Sequence, residues 1–341
     1  MSRHRFLIAG LLALCGFTFL IAAGPREEAW KEVDQAIAAG KPQTAIEKLA
    51  PIIRQAMSEK KYAEAIKAVA TKISLEGSIQ GNRAEEKITR LQAEIDNAPD
   101  EMKPTMEAIL ANWYWQYFQQ HRWRFADRTQ TAAAPEADFT TWDLPRILSE
   151  IDRHFLASLA NAEQLQQIPI SDYEDLLEKG NVPDSYRPTL FDVLAHNALG
   201  FYLAGEQAAS QPFDAFQLSA SSPIFSSVAD FINWEPDTTD QSSATLKAIR
   251  IYQQLLAFHQ NDADRSAFLD TDLARIVFGN NQAVGDEKLS RFKAALRRFA
   301  DQNADHEIAS RALHHLAQAI HEEGNWVQAH QVASEGLRLP L

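Results

Sequence analysis

Four groups of residues in this chain have types and spacings that could do chemistry. Ser58-Glu59-Lys60-Lys61 matches the Ser-x-x-Lys pattern, in which a lysine activates a serine nucleophile. No Lys-Thr-Gly or Ser-Asp-Asn partner accompanies it, and so short a pattern recurs by chance in lysine-rich turns. Histidines gather late, at His306, His314, His315, His321 and His330, and the spacing from His314 to His321 could place both on one helix face. A zinc motif needs a further histidine after His321-Glu322-Glu323-Gly324 at the required place, and none is there, so these read as surface histidines on an acidic helix pair. Asp262, Asp264, Asp270 and Asp272 suggest a calcium loop. Counted from Asp262, however, the glycine position holds Ala267 and the closing glutamate position holds Leu273. The aspartates then read as helix N-caps and a solvated turn. Glu85-Glu86 and Glu322-Glu323 are exposed helix charges by periodicity, not an acid–base pair. No Gly-x-Ser-x-Gly, phosphate loop or dinucleotide fingerprint occurs. The expectation is a protein without catalytic, cofactor-binding or metal residues, and hence not an enzyme.

Composition narrows the partners. The 341 residues carry a formal net charge of −13; without Arg3 and Arg5 the balance is 31 basic against 46 acidic side chains, or −15. Such a surface repels nucleic acid phosphates and anionic membrane faces, so no nucleic acid partner is expected. Apolar residues at 45% are sufficient for an ordinary folded core. Residues 1–24 form a targeting segment: a basic start at Arg3-His4-Arg5, an apolar run from Phe6 to Ile21, and small residues at Ala22-Ala23-Gly24. Pro25 hinders cleavage directly before it, and about 18 apolar residues approach the length of a membrane span. A cleaved signal peptide and an uncleaved tether through residues 6–23 therefore both stand. The only cysteine, Cys15, lies inside this run behind Leu14, where a lipoprotein signal needs a small residue. Without the leader the chain has no thiol for a disulfide or a thiolate metal site.

The elements that must position everything else are helices. Trp30, Val33 and Ile37 mark a first helix stopped by Gly40-Lys41-Pro42; Ile46, Leu49, Ile53 and Met57 mark a second, bent or broken at Pro51. Tyr62 to Ile73 predicts a third helix ending near Gly77, and Ile88, Leu91 and Ile95 a fourth. Met106, Ile109, Leu110, Trp113, Tyr114, Tyr117 and Phe118 recur as one face of a fifth. Arg128 to Asp138, with Pro135, reads as a loop. Helical spacing then returns from Leu144 to Leu159 and from Leu190 to Phe201. Residues 206–245 are the least regular stretch, yet Phe213, Phe216, Phe225, Phe231 and Trp234 argue for a long packed loop and a candidate binding edge. In the last 29 residues Leu313, Leu316, Ala317, Ile320, Gly324, Trp326 and Ala329 fall at core and turn positions of a tetratricopeptide-like (TPR-like) pair, with Pro340 one place early. Gly40 and Ala45 hint at the same unit, although Ala45 and Ala65 are 20 apart rather than about 34. No polar cap closes the array before Leu341, which predicts a continuation.

Asn112 to Thr129 is the densest stretch, with three of the seven tryptophans and then Arg122, Arg124 and Arg128. Trp115 falls off the helical stripe. Arginines alternating with Trp123 and Phe125 are expected to stack on the rings and pair with carboxylates such as Asp127 or Asp143, anchoring the turn internally. Tyr114-Trp115-Gln116-Tyr117, Arg122-Trp123-Arg124-Phe125, Trp142-Asp143-Leu144, Ile151 to Ser158, and Arg187-Pro188-Thr189-Leu190-Phe191-Asp192 with Ala195-His196 occur in this order. So do Ala29 to Asp34 and Gly40 to Ala45 near the start. Together these strings resemble the amino-terminal region of the large secreted alpha-2-macroglobulin-like proteins of Bacteroidetes-type bacteria. The thioester motif, the β-sandwich macroglobulin domains and the bait segment are absent, so the resemblance covers only the helical leader.

The sequence thus predicts an all-α, TPR-like helical array (an α-solenoid) with one long irregular region. Its parts are a leader at 1–24, a helical domain at 25–205, a packed loop at 206–245 and a TPR-like region at 246–341. The resemblance implies an extracytoplasmic, envelope or periplasmic place and a protease-inhibiting parent, with this part docking to protein partners or to downstream domains of the same polypeptide. The alternative is a free-standing envelope scaffold binding partners through a helical groove.

Overall fold

The structure, a computed structural model, describes residues 26–81, 84–126, 138–177, 180–206 and 214–339. The leader with Cys15, and also Pro25, Asp127, Arg128, Pro135, Phe213, Pro340 and Leu341, lie outside the described residues. Among the described residues the chain is all-helical, with 15 α-helices and no strand beyond two isolated bridges, Pro169 to Thr189 and Ser219 to Val284. No described helix is long and apolar enough to cross a membrane. The helices fall into two compact units. The first runs to Val182 and resumes over Thr189–Phe201; the second comprises Pro183–Pro188 and the chain from Tyr202 onward.

The first unit opens with α1 (Glu27–Ala38), α2 (Pro42–Ser58) and α3 (Tyr62–Ile79), packed in succession. Their connections share one geometry. At the end of α1, Gly40 N–H donates to Ile37 O and Lys41 N–H to Ala36 O; at the end of α2, Lys60 and Lys61 donate to Met57 and Ala56 in the same way. This pair of hydrogen bonds closes a helix on a left-handed residue, and both positions have positive φ, 67° at Gly40 and 58° at Lys60. Ser58 is therefore the last residue of α2, donating its Oγ back to Gln55 O, and Glu59, Lys60 and Lys61 are the turn to α3. Of the bend or break expected at Pro51, the break does not occur: α2 continues through it. The proline is exposed, so the carbonyl freed one turn earlier can bond water instead. Val33, Ala45, Leu49 and Ile52 form the core between these helices, with Ile46 and Ile53 only partly buried against it.

Next come α4 (Ala84–Asn97), α5 (Lys103–Gln120), the short α6 (Arg122–Ala126), α7 (Leu144–Ser158), α8 (Ala162–Leu165) and α9 (Leu190–Tyr202). The periodic face of α5 is buried as its spacing requires, Trp113, Tyr114, Tyr117 and Phe118 included. Off that stripe, Trp115 packs edge-on to Phe201 at 5.5 Å. Asp143 starts α7 by accepting from Arg146 N–H, and α7 lies along α5.

The second unit holds α10 (Val228–Ile232), α11 (Ala244–His259), α12 (Ser266–Gln282), α13 (Lys288–Gln302), α14 (Ile308–Glu322) and α15 (Trp326–Gly336). The irregular stretch before α11 is part of this core, since Leu218, Ile224, Phe225 and Phe231 are all buried. Gly279 on α12 permits the approach: a Cβ there would lie 2.8 Å from both Ile224 Cγ1 and Phe225 Cε1. Between α14 and α15 the turn geometry of the first unit recurs, with Gly324 N–H on His321 O and Asn325 N–H on Ile320 O at φ 83° for Gly324.

Candidate functional site

A cluster of titratable groups that no sequence motif singles out stands among the described residues. It lies between α5 and α7 in the first unit. Arg146, Glu150 and His154 follow at i, i+4 and i+8 along α7, which places them on one face, with Arg153 beside them. Glu107 and Tyr114, two turns apart on α5, face them. His154 is fully buried, and its Nδ1 makes a short hydrogen bond with Glu107 Oε2. Its Nε2 lies 3.0 Å from Arg153 Nη2 and 3.5 Å from Glu150 Oε1. Arg153 also donates to Glu150 Oε1 at 2.7 Å, and Arg146 approaches the other oxygen at 3.3 Å. Tyr114 stacks between two rings, His154 at 5.5 Å and Trp142 at 6.3 Å, and Arg146 lies over Trp142 at 4.7 Å.

Electrostatics here are set by burial and pairing. Burial alone would raise the Glu150 carboxyl, but the bonds from His154 and Arg153 outweigh it and hold it down at about 2. For His154 burial favours the neutral ring, and the two glutamates overcome this and leave its pKa raised. Burial pushes the Tyr114 hydroxyl well above its ordinary value, and Glu150 adds to that. What this arrangement can do is limited by access. With no exposed imidazole surface and both ring nitrogens engaged, no substrate atom reaches His154. The cluster can hold and release a proton and tie α5 to α7.

The motifs read from sequence are dispersed. Asp262 accepts from His259 at 2.6 Å and Asp264 from Ser266 N–H at 2.9 Å, as a turn and a helix start require. Asp270 and Asp272 do not cap anything. Both are buried within α12, where Asp270 receives Arg187 at 2.8 Å and Arg311 at 2.6 Å, and Asp272 receives Arg275. Arg275 is 1% exposed and also donates to Ile224 O at 2.7 Å, so it pins the irregular stretch to α12. His314, His321 and His330 are exposed, but His306 is half-buried and engages Ser266 Oγ. Among the described residues no three His, Cys, Asp or Glu side chains converge as a metal site. Glu85 and Glu86 are half-buried rather than exposed, and Glu85 accepts from the Tyr117 hydroxyl. Of the arginine run, Arg122 lies over Phe118 and Arg124 over Trp123, yet Trp123 is itself 63% exposed and only Phe125 enters the core. A depression of about 340 Å³ between α3 and α4 is lined by Lys72, Glu76, Arg90 and Glu94, which pair with one another.

One surface is left without a neighbour in its own unit. α15 buries Ala329, Val332 and Gly336 toward α14. Its other face carries Trp326 at 70% exposure, Val327 at 73% and, just past its end, Leu337 at 86%. By spacing Trp326 falls at one of the core and turn positions of the repeat. It stands outside instead, stacked on His321 at 5.8 Å, because the turn at Gly324 starts α15 with that face outward. Comparison of the chain with models of known protein families, with curated proteins and with solved structures gave no match.

Proposed function

We propose that this chain is a non-catalytic helical docking module of the bacterial envelope, the leading part of an alpha-2-macroglobulin-like protease inhibitor. The observation that carries the docking reading is the outward face of α15. Trp326, His330, Ala333 and Leu337 follow at i, i+4, i+7 and i+11, a single stripe on a helix whose opposite face is already packed. A tryptophan is the kind of side chain a protein interface buries at its centre, and covering each large apolar side chain here would be worth about 1.5–3 kcal/mol. The strings behind the family resemblance supply the context. Many of their residues are buried here, among them Trp142, Arg187, Leu190, Phe191 and Asp192, which supports a framework role for them rather than a catalytic one. Trapping of proteases belongs to the parent molecule in this reading, and positioning to this part.

The test begins with the coding sequence beyond Leu341. An in-frame run into β-rich domains is expected, and the purified chain should bind those domains, with Trp326→Asp weakening Kd at least about tenfold, or 1.4 kcal/mol. A stop codon there with a stable product would favour the free-standing scaffold, and binding untouched by Trp326→Asp would remove α15 as the docking face. Purified protein should neither incorporate methylamine nor turn over peptide or β-lactam substrates, because it lacks a thioester motif and a recognisable nucleophile–base pair.

A further inference from the structure

We infer that His154 is a proton-operated latch between α5 and α7, whose state is displayed at the surface by Arg153. The geometry carries this. Arg153 is always a donor, so an Nη2 at 3.0 Å from His154 Nε2 makes that nitrogen an acceptor. The proton of the neutral ring then sits on Nδ1 and is donated to Glu107. When the ring takes a second proton, Nε2 becomes N–H. It can no longer accept from Arg153, and the acceptor within reach is Glu150 Oε1, 3.5 Å away. His154 would then bridge Glu107 of α5 and Glu150 of α7 through both nitrogens. Arg153, whose side chain is 52% exposed, has water to turn into, while His154 at 0% has none. A buried protonation is thereby converted into a movement of a surface guanidinium.

The charges facing the ring make both states accessible. From α5 come Glu107 and the Tyr114 hydroxyl; from α7 come Arg146, Glu150 and Arg153. α6 also packs on α7, and its Arg122 and Arg124 lie over Phe118 and Trp123. α9 reaches α7 through Phe201 against Phe155; its Asp192 accepts from Thr189 and its His196 bonds Asp192 O. Two carboxylates at the ring nitrogens favour the charged imidazole, and their effect exceeds that of burial, so the pKa lies above its ordinary value of 6.5. With the folded pKa raised, the doubly bridged state strengthens the α5–α7 pair below the ordinary histidine range. That contribution is lost as pH rises through the folded pKa.

The experiment is a titration of the imidazole nitrogens by long-range proton–nitrogen NMR on the whole chain from pH 5 to 9. The His154 midpoint is expected above 6.5, with Nε2 gaining the proton. Arg153→Ala removes a repelling charge from an exposed site and should move the midpoint up by roughly 0.5–1 unit, while Glu150→Gln should move it down. Wild-type melting temperature should fall with rising pH across this midpoint, and His154→Gln should flatten that slope. An Nε2 that stays unprotonated throughout, a midpoint shifted the same way by both variants, or a wild-type slope retained by His154→Gln would each overturn the latch. Should His154→Gln fail to fold, the wild-type nitrogen shifts and the Arg153→Ala midpoint decide alone.

Discussion

Replacing Arg275 by methionine should be among the most damaging single changes in the second unit. Methionine keeps much of the apolar bulk and removes every donor. Arg275 gives Nε and Nη2 to Asp272 Oδ1 at 2.8 and 2.5 Å and Nη1 to Ile224 O at 2.7 Å, and it lies 4.8 Å from the Phe231 ring. Removing one member of a buried ion pair costs about 3–5 kcal/mol, since the remaining charge stays in a poorly hydrated place. An orphaned buried carbonyl adds about 1–3 kcal/mol, part of it shared with the first loss. The expected cost is thus about 4–6 kcal/mol, a large fraction of a usual folding free energy of roughly 5–15 kcal/mol. Arg298, which donates to Phe225 O at 2.6 Å, should keep residues 223–226 from detaching altogether. Urea unfolding followed by far-ultraviolet circular dichroism would measure the shift, with the two units analysed as separate transitions if they separate. Adding Asp272→Asn should recover about 1–2 kcal/mol, because the stranded charge is then gone. A loss below about 1 kcal/mol for Arg275→Met, or no recovery in the double variant, would refute the anchoring role.

Four further outcomes are expected. Trp113→Ala, in the buried face of α5, should cost about 3–5 kcal/mol and lower the melting temperature clearly in differential scanning calorimetry. Lys60→Gly should stabilise by up to about 1 kcal/mol by relieving a left-handed lysine at φ 58°, whereas Gly324→Ala at φ 83° should destabilise by about 1 kcal/mol; paired urea curves would measure both. Glu150, held at about 2 against an ordinary 4.5, contributes stability that is present above pH 4.5 and lost as pH falls toward 2. The stability gap between wild type and Glu150→Gln should therefore be widest above pH 4.5 and shrink by pH 2.5, as acid-dependent urea titrations would reveal.

Much of the helical framework is legible in the sequence, because an amphipathic helix records its buried face locally, every three to four residues. Ile88, Leu91 and Ile95 on α4 and the aromatic face of α5 are buried where their spacing puts them. The turns are local too: Gly40 and Gly324 mark left-handed helix ends, though Lys60 does the same work without a glycine to announce it. What periodicity cannot supply is the identity of the residue across the gap. Pro51 reads as a bend or a break in the sequence, and its exposure is what makes it tolerable inside α2. Trp326 reads by spacing as one of the core and turn positions of a repeat, and only the orientation of α15 puts it in water. The charged sites depend on this most. Asp270 meets Arg187 and Arg311 across 83 and 41 positions, and His154 meets Glu107 across 47. A charge can be buried only where its counter-charge arrives, and that arrival is set by how helices pack, not by the spacing within any one of them.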